Sequence, residues 1–209
     1  MGKTKFLISS TGAILAWVAV IQFYVANSAG KPFLPFLAEF FTYFTIIGNV
    51  AIALYFTVQT LNIRKKLTTI FYHPGTSTAI LAYSTLVAIG YHTLFEDMYE
   101  PENINISIDL LLHLILPVLF LLYWLIFEAQ KVINWKIIPY FLILPFFYFL
   151  YVLMVGALFG HYPYPFFDIE DSGYGEVMLF GLGFSFAIIL TGAVYIGLAK
   201  ALRKNHEKI

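Results

Sequence analysis

The sequence predicts an all-α integral membrane protein, a bundle of six transmembrane helices with both termini on the cytoplasmic side. Of the 209 residues, 60% are apolar and only 11% are charged, whereas soluble domains carry about a quarter charged residues. The apolar residues also fall into runs of about 20, the length that a helix needs to cross the hydrocarbon core of a bilayer. Such a chain has too little polar surface to cover itself, so its apolar surface must face lipid.

The apolar runs predict helices and not strands. They do not alternate polar with apolar residues as barrel strands do, and an open sheet would leave backbone groups unpaired in lipid. The first run also fits a cleaved signal peptide, although it is longer than a typical apolar signal region. The predicted spans, all within a single transmembrane domain of residues 1–209, are 6–26, 36–60, 78–95, 106–127, 137–159 and 177–199.

The positions of Lys and Arg predict the orientation of the spans, because cytoplasmic loops are enriched in these residues. One set of flanks carries only Lys31. The opposite set carries all the others: Lys3, Lys5, Arg64, Lys65, Lys66, Lys131, Lys136, Lys200, Arg203, Lys204 and Lys208. The second set includes both ends of the chain, so both termini are predicted to be cytoplasmic.

Charge and cysteine content narrow the classes of function. The formal net charge is zero, which argues against a nucleic-acid partner because no basic surplus is available to neutralise phosphates. The chain has no cysteine, which excludes disulfides, a cysteine nucleophile and thiolate metal ligands. Any chemistry is therefore expected among the helices and their short loops.

Polar residues inside the second predicted span are candidates for function, because polar and ionisable side chains are costly in a membrane. Glu39, Thr42, Thr45 and Asn49 fall within about 120° of one another on a helical wheel. If residues 36–60 form one helix, these four side chains form a polar stripe that faces the interior of the bundle.

The fourth span carries Asp109 and His113 at positions i and i+4, which lie on one face of a helix and permit contact. Thr45 and His113 are predicted at similar depths, about 13 Å and 10 Å below the outer ends of their spans. A threonine hydroxyl needs a neighbouring base to become a nucleophile, and neutral histidine is the usual one. His92, near the outer end of the third span, is expected to be an interfacial residue.

Several alternatives to this nucleophile and base remain open. Threonine in a membrane helix often hydrogen-bonds its own backbone, and a buried histidine often only bridges helices. A non-enzymatic transporter or sensor, or a metal-dependent membrane hydrolase, is also possible. A metal site would have to draw three ligands from His92, His113, Asp109 and Glu39, and no metal-binding spacing is present.

Three segments carry a resemblance to a known family: FTYFTIIGN (residues 41–49), DLLLHLILP (109–117) and YPYPFFD (162–168). Together they resemble the bacterial branch of the androgen-induced-protein and androgen-dependent TFPI-regulating protein superfamily. The animal members of this six-span superfamily are intramembrane threonine hydrolases that cleave fatty acid esters of hydroxy fatty acids. The resemblance implies that Thr45 is the nucleophile and His113 the base, with Thr42 as the alternative nucleophile.

The same resemblance implies a lipid ester substrate. No metal or cofactor is expected, because a mechanism with a threonine nucleophile and a histidine base needs none and no metal-ligand spacing is present. The resemblance also implies a place in the bacterial plasma membrane, where membrane lipids are the surrounding partners. The segment 162–168 contains Pro163 and Pro165, which restrict its backbone. We expect it to form a stiff cap over the outer mouth of the bundle.

Overall fold

The computed structural model describes residues 2–63, 66–95 and 106–206, and all regular secondary structure in these ranges is helical. The α-helices are α1 (Lys3–Ser28), α2 (Phe33–Phe40), α3 (Phe44–Leu61), α4 (Pro74–Gly90), α5 (Ile106–Leu110), α6 (Leu116–Phe127), α7 (Ile143–Phe159) and α8 (Ile169–His206). Short 3₁₀ segments cover Lys66–Tyr72, Trp135–Leu142 and Pro165–Phe167, and π-helical turns cover Tyr91–Phe95 and Leu111–Ile115. The predicted all-α class is confirmed.

Five helical segments in the described ranges are long and apolar enough to cross a membrane. They are Lys3–Ser28, Phe44–Leu61, Ile106–Phe127, Trp135–Phe159 and Ile169–Lys204. Their outward faces carry large exposed apolar side chains, such as Leu179, Leu182 and Phe186 on α8, which suit a lipid environment and would be unusual on a soluble surface. The number of six spans and the orientation of the termini stay predictions.

Helices α1 and α3 pack closely because one face of α1 carries mainly small side chains. Its buried positions include Ser9, Gly12, Ala13 and Ala16, at the three- and four-residue spacing of a single helix face. A Cβ atom on Gly12 would lie 2.5 Å from the ring of Phe56 on α3. Small residues at this face therefore allow the two helices to approach.

Helix α4 lies at the centre of the bundle, in contact with α3, α6 and α8. About half of its residues are buried, among them Ser77, Thr78 and Ser84. The indole N–H of Trp124 on α6 donates to the hydroxyl of Thr78 at 3.0 Å. Interhelical hydrogen bonds of this kind satisfy polar groups that lipid could not.

The prediction of one continuous helix over residues 36–60 is wrong. Helix α2 ends at Phe40 and α3 begins at Phe44. Between them, the backbone N–H of Thr42 closes a turn on the carbonyl of Glu39 at 2.9 Å, and its hydroxyl donates to the same carbonyl at 2.6 Å. Such local bonds compete with helix continuation. Tyr43 then takes an extended conformation, with φ −80° and ψ 116°, and the chain changes direction.

Some predicted features lie outside the described residues. They are the basic residues Arg64, Lys65 and Lys208 and the segment 96–105 that follows the third predicted span.

Candidate functional site

Thr45 and His113 come together across two helices. Thr45 lies in the first turn of α3, and His113 lies in the π-helical turn Leu111–Ile115. The Thr45 Oγ1 atom is 3.3 Å from His113 Nε2, a loose contact of the kind that nucleophile and base pairs show before a substrate tightens them. His113 is 9% exposed, so the imidazole is largely shielded while Thr45 is half-buried.

Asp109 holds the other side of the imidazole. His113 Nδ1 lies 2.8 Å from Asp109 Oδ1 and 3.2 Å from the Asp109 carbonyl oxygen, so the i to i+4 contact expected from the spacing is present. Both neighbours are acceptors, so Nδ1 carries the hydrogen and Nε2 keeps a lone pair. That lone pair faces the Thr45 hydroxyl, and the three side chains form a hydroxyl, imidazole and carboxylate chain.

The π-helical turn that presents His113 lies just before a proline, Pro117. The N–H of Leu116 donates to the carbonyl of Leu111, five residues earlier. The next bond in this register would run from residue 117 to the Leu112 carbonyl, but Pro117 has no N–H. The backbone therefore leaves the Leu112 carbonyl without its helical donor. Single π turns of this kind are frequent at functional sites.

Asn49 supplies the missing donor and joins the two helices of the site. Its Nδ2 atom donates to the Leu112 carbonyl at 3.2 Å and to the Thr45 carbonyl at 2.9 Å. Asn49 is 2% exposed, and its Oδ1 atom has no hydrogen-bond partner among the described residues. One amide thus links the turn that carries Thr45 to the turn that carries His113.

A cavity of about 730 Å³ adjoins this group, and Thr45, Asp109 and His113 are part of its wall. This volume is in the range of small-molecule binding sites. The walls are mostly aromatic and aliphatic, with contributions from α1, α3, α4, α7 and α8. Thr45, Asp109 and His113 therefore border a largely apolar chamber.

The segment 162–168 forms another part of the cavity wall, through Tyr164, Phe166 and Phe167. The ring of Phe166 stacks on Phe180 of α8 with centroids 3.7 Å apart. At the other end of the segment, a Cβ atom on Gly156 would lie 2.0 Å from the ring of Tyr162. The segment is thus packed against both α7 and α8 beside the cavity.

Three other residues singled out in the sequence lie away from the Thr45–His113 contact. The hydroxyl of Thr42 donates to the Glu39 carbonyl at the end of α2. Because residues 36–60 do not form one helix, the predicted polar stripe on one helix face is not formed. Glu39 accepts a hydrogen bond from Lys31 at 2.6 Å and lies 3.9 Å from the Nε2 atom of His161. His92 is exposed, with its ring edge against Tyr91 at a centroid distance of 5.2 Å.

Sequence reasoning missed two residues, Tyr91 and Glu128. Tyr91 stacks directly on the imidazole of His113, a contact that no spacing in the sequence indicates. Glu128 lies at the other end of the bundle, is 1% exposed and binds Lys5 and Lys131 at 3.2 Å and 2.6 Å. A lone acid among the basic residues of a flank that is predicted to be cytoplasmic was the available signal for Glu128.

Among the described residues, no group of three or more His, Asp or Glu side chains lies where it could hold a metal ion. Comparisons of the chain with models of known families, with curated proteins and with solved structures found no match in any of the three.

Proposed function

We propose that this protein is an intramembrane hydrolase of fatty acyl esters, with Thr45 as the nucleophile and His113 as the general base. One observation carries the proposal: a hydroxyl, an imidazole and a carboxylate are aligned in the wall of a largely apolar cavity. Nucleophile, base and orienting acid in this order are the usual requirement for acyl transfer, whatever the fold.

The reaction proceeds in two steps. Thr45 Oγ1 attacks the ester carbonyl carbon while its proton passes to His113 Nε2, and His113 then gives that proton to the departing alkoxide, which leaves as an alcohol. The product is an acyl ester on Thr45. A water molecule next gives a proton to His113 and attacks this ester, which releases the fatty acid and returns the proton to Thr45.

Asp109 supports both steps, because a carboxylate beside Nδ1 stabilises the imidazolium that forms when Nε2 takes a proton. The position of Thr45 in the first turn of α3 adds a second electrostatic contribution. The amides at the beginning of a helix carry a partial positive charge, and negative charge develops on the carbonyl oxygen during attack. Helix α3 therefore favours the transition state.

The substrate class follows from the walls of the cavity. Aromatic side chains such as Phe44, Tyr148, Phe167 and Phe184 favour an acyl chain over a charged or sugar-like ligand. The resemblance of the segments around Thr45 and His113 to the threonine hydrolase superfamily points to esters of hydroxy fatty acids. A lipid ester would reach this site from the surrounding membrane lipids.

The proposal includes six spans, cytoplasmic termini and a place in the bacterial plasma membrane. The span that this adds to the five apolar helical segments described above is the third in chain order. It consists of Pro74–Gly90 and its continuation Tyr91–Phe95. Single introduced cysteines can test the orientation without interference from native cysteines of the protein, since the chain has none. In intact cells, a cysteine at Glu170 should react with an impermeant thiol reagent, whereas one at Lys136 should be protected. The reverse pattern would invert the orientation.

The activity is tested by hydrolysis of a long-chain hydroxy-fatty-acid ester with protein purified in detergent. We expect Thr45→Ala and His113→Ala to lower turnover by roughly 10²-fold or more, and the double variant to lose little beyond either single one, because the two residues act as a unit. Thr42→Ala is the matched control and should keep activity. Full activity in His113→Ala would refute the mechanism.

A further inference from the structure

The contact between Tyr91 and His113 suggests a role that lies beyond the nucleophile, base and carboxylate. We infer that Tyr91 is a positioning residue that fixes the plane of the His113 imidazole and the place of Asp109, so that Nε2 stays directed at Thr45. The inference rests on the proposed function, since it assigns Tyr91 a part in the same reaction.

The two rings lie face to face. Their centroids are 3.7 Å apart and their planes differ by 8°. Tyr91 is 7% exposed and begins the π-helical turn Tyr91–Phe95, where its N–H bonds the carbonyls of Ala88 and Val87 at the end of α4. The backbone that carries the tyrosine ring is therefore held in its own helix, and the ring itself is buried.

A face contact suits a catalytic imidazole. Many aromatic pairs in this protein meet edge to face, for example Tyr55 and Phe120 at 79°. An edge-on neighbour could block one of the ring nitrogens of His113. The parallel stack leaves the whole ring edge open, so Nδ1 can bond Asp109 while Nε2 contacts Thr45.

The hydroxyl of Tyr91 provides a second restraint, because it interacts with the Asp109 carboxylate. Asp109 limits rotation of the imidazole within its plane, and the stack limits tilting of the plane. Tyr91 thus acts on both groups at once. When Nε2 takes the proton from Thr45, the charged ring also lies over the electron-rich face of Tyr91, which stabilises a cation.

Two variants separate the ring from the hydroxyl. Tyr91→Phe keeps the stack, so we expect kcat to fall only a few-fold, by analogy with the loss of one hydrogen bond. Tyr91→Leu removes both restraints, and kcat should fall roughly 10- to 100-fold, the scale of a misplaced catalytic group, with a smaller change in KM. Tyr123→Leu is the control, because it removes a buried tyrosine ring that lies outside the cavity wall.

Nitrogen-15 NMR of the imidazoles gives a readout that does not depend on activity. The chain has five histidines, and comparison with His113→Gln identifies the signal of His113. We expect a single tautomer with hydrogen on Nδ1 in the wild type, in Tyr91→Phe and in Tyr123→Leu, and a mixture of tautomers in Tyr91→Leu.

The outcomes distinguish this inference from the proposed function. An active wild type whose kcat is equally reduced in Tyr91→Leu and Tyr123→Leu, or a His113 spectrum unchanged in Tyr91→Leu, would overturn the positioning role. An inactive wild type would refute the proposed hydrolase, and the NMR comparison would still decide whether Tyr91 orients His113.

Discussion

Asn49 offers the sharpest test of how the site is assembled, because one buried amide joins the two turns that carry Thr45 and His113. The Thr45 carbonyl lies four residues before Asn49, so a backbone N–H of the helix normally donates to it. The Leu112 carbonyl has no such donor, because Pro117 has no N–H. The critical bond is thus the one from Asn49 Nδ2 to Leu112, at 3.2 Å.

We expect two substitutions of Asn49 to change the stability of the protein by different amounts. The substitution that keeps the size of the side chain should cost more than the one that alters it. Asn49→Leu leaves the Leu112 carbonyl unpaired, which costs about 1–3 kcal/mol of stability. It also removes the unpartnered Oδ1 atom, which offsets part of that cost. The net loss of stability should therefore be small. Asn49→Asp keeps the shape and removes both N–H donors. It places an oxygen against two carbonyls and buries a charge, which should cost about 3 kcal/mol or more.

Thermal unfolding in detergent measures the difference. For a chain of this size, Asn49→Asp should lower Tm by roughly 6–12 °C, whereas Asn49→Leu should remain within a few degrees of the wild type. Both variants should lose ester hydrolysis, because the His113 turn is no longer tied to α3. An Asn49→Asp protein that melts with the wild type would refute the role assigned to the amide.

Three further predictions concern separate parts of the bundle. Asp109→Asn should lower turnover by roughly 10-fold or more while Tm is unchanged, and equal turnover in both proteins would reduce Asp109 to a surface residue. Glu128→Ala should lower the free energy of unfolding, measured by chemical denaturation, by about 1–3 kcal/mol. This is less than the cost of breaking a fully buried ion pair, because both lysine partners reach solvent. Glu128→Gln should recover part of the loss. Gly156→Val should displace Tyr162 and the segment beside the cavity, so KM for a long-chain ester should rise more than kcat falls, and an unchanged KM would contradict that placement.

The helical membrane architecture could be predicted because it depends on the composition of the whole chain and on the length of its apolar runs. Long apolar runs with few charges have only a helical solution in lipid, and small errors in their boundaries change little. The contact of Asp109 with His113 was predictable for a related reason, since a four-residue spacing brings side chains together on any helix, and the π turn between them did not separate the pair.

The break between α2 and α3 could not be predicted in the same way. It depends on whether the Thr42 N–H closes a tight turn on the Glu39 carbonyl or continues the helix, and local hydrogen bonds of this kind compete with helix formation. The predicted depth of Thr45 assumed an unbroken helix and had no basis in the structure, although Thr45 and His113 do lie in contact. Their proximity results from the first turn of α3 and from the Asn49 bridge.

Contacts between distant elements were the least accessible to sequence reasoning. The stack of Tyr91 on His113 requires two π-helical turns to face each other, and neither turn has a reliable sequence signal. Pro117 does explain why the Leu112 carbonyl is free, but this becomes evident only when Asn49 is seen to occupy the place of the missing donor.

The most direct test of the central claim is to map the residue that reacts with a fluorophosphonate, a reagent that modifies activated serine and threonine hydroxyls. Wild-type protein in detergent is labelled, digested and analysed by mass spectrometry. The proposed mechanism predicts an adduct on Thr45 that is lost in Thr45→Ala and in His113→Ala and retained in Thr42→Ala. An adduct on Thr42, or labelling of Thr45 that persists in His113→Ala, would contradict the pairing of Thr45 with His113.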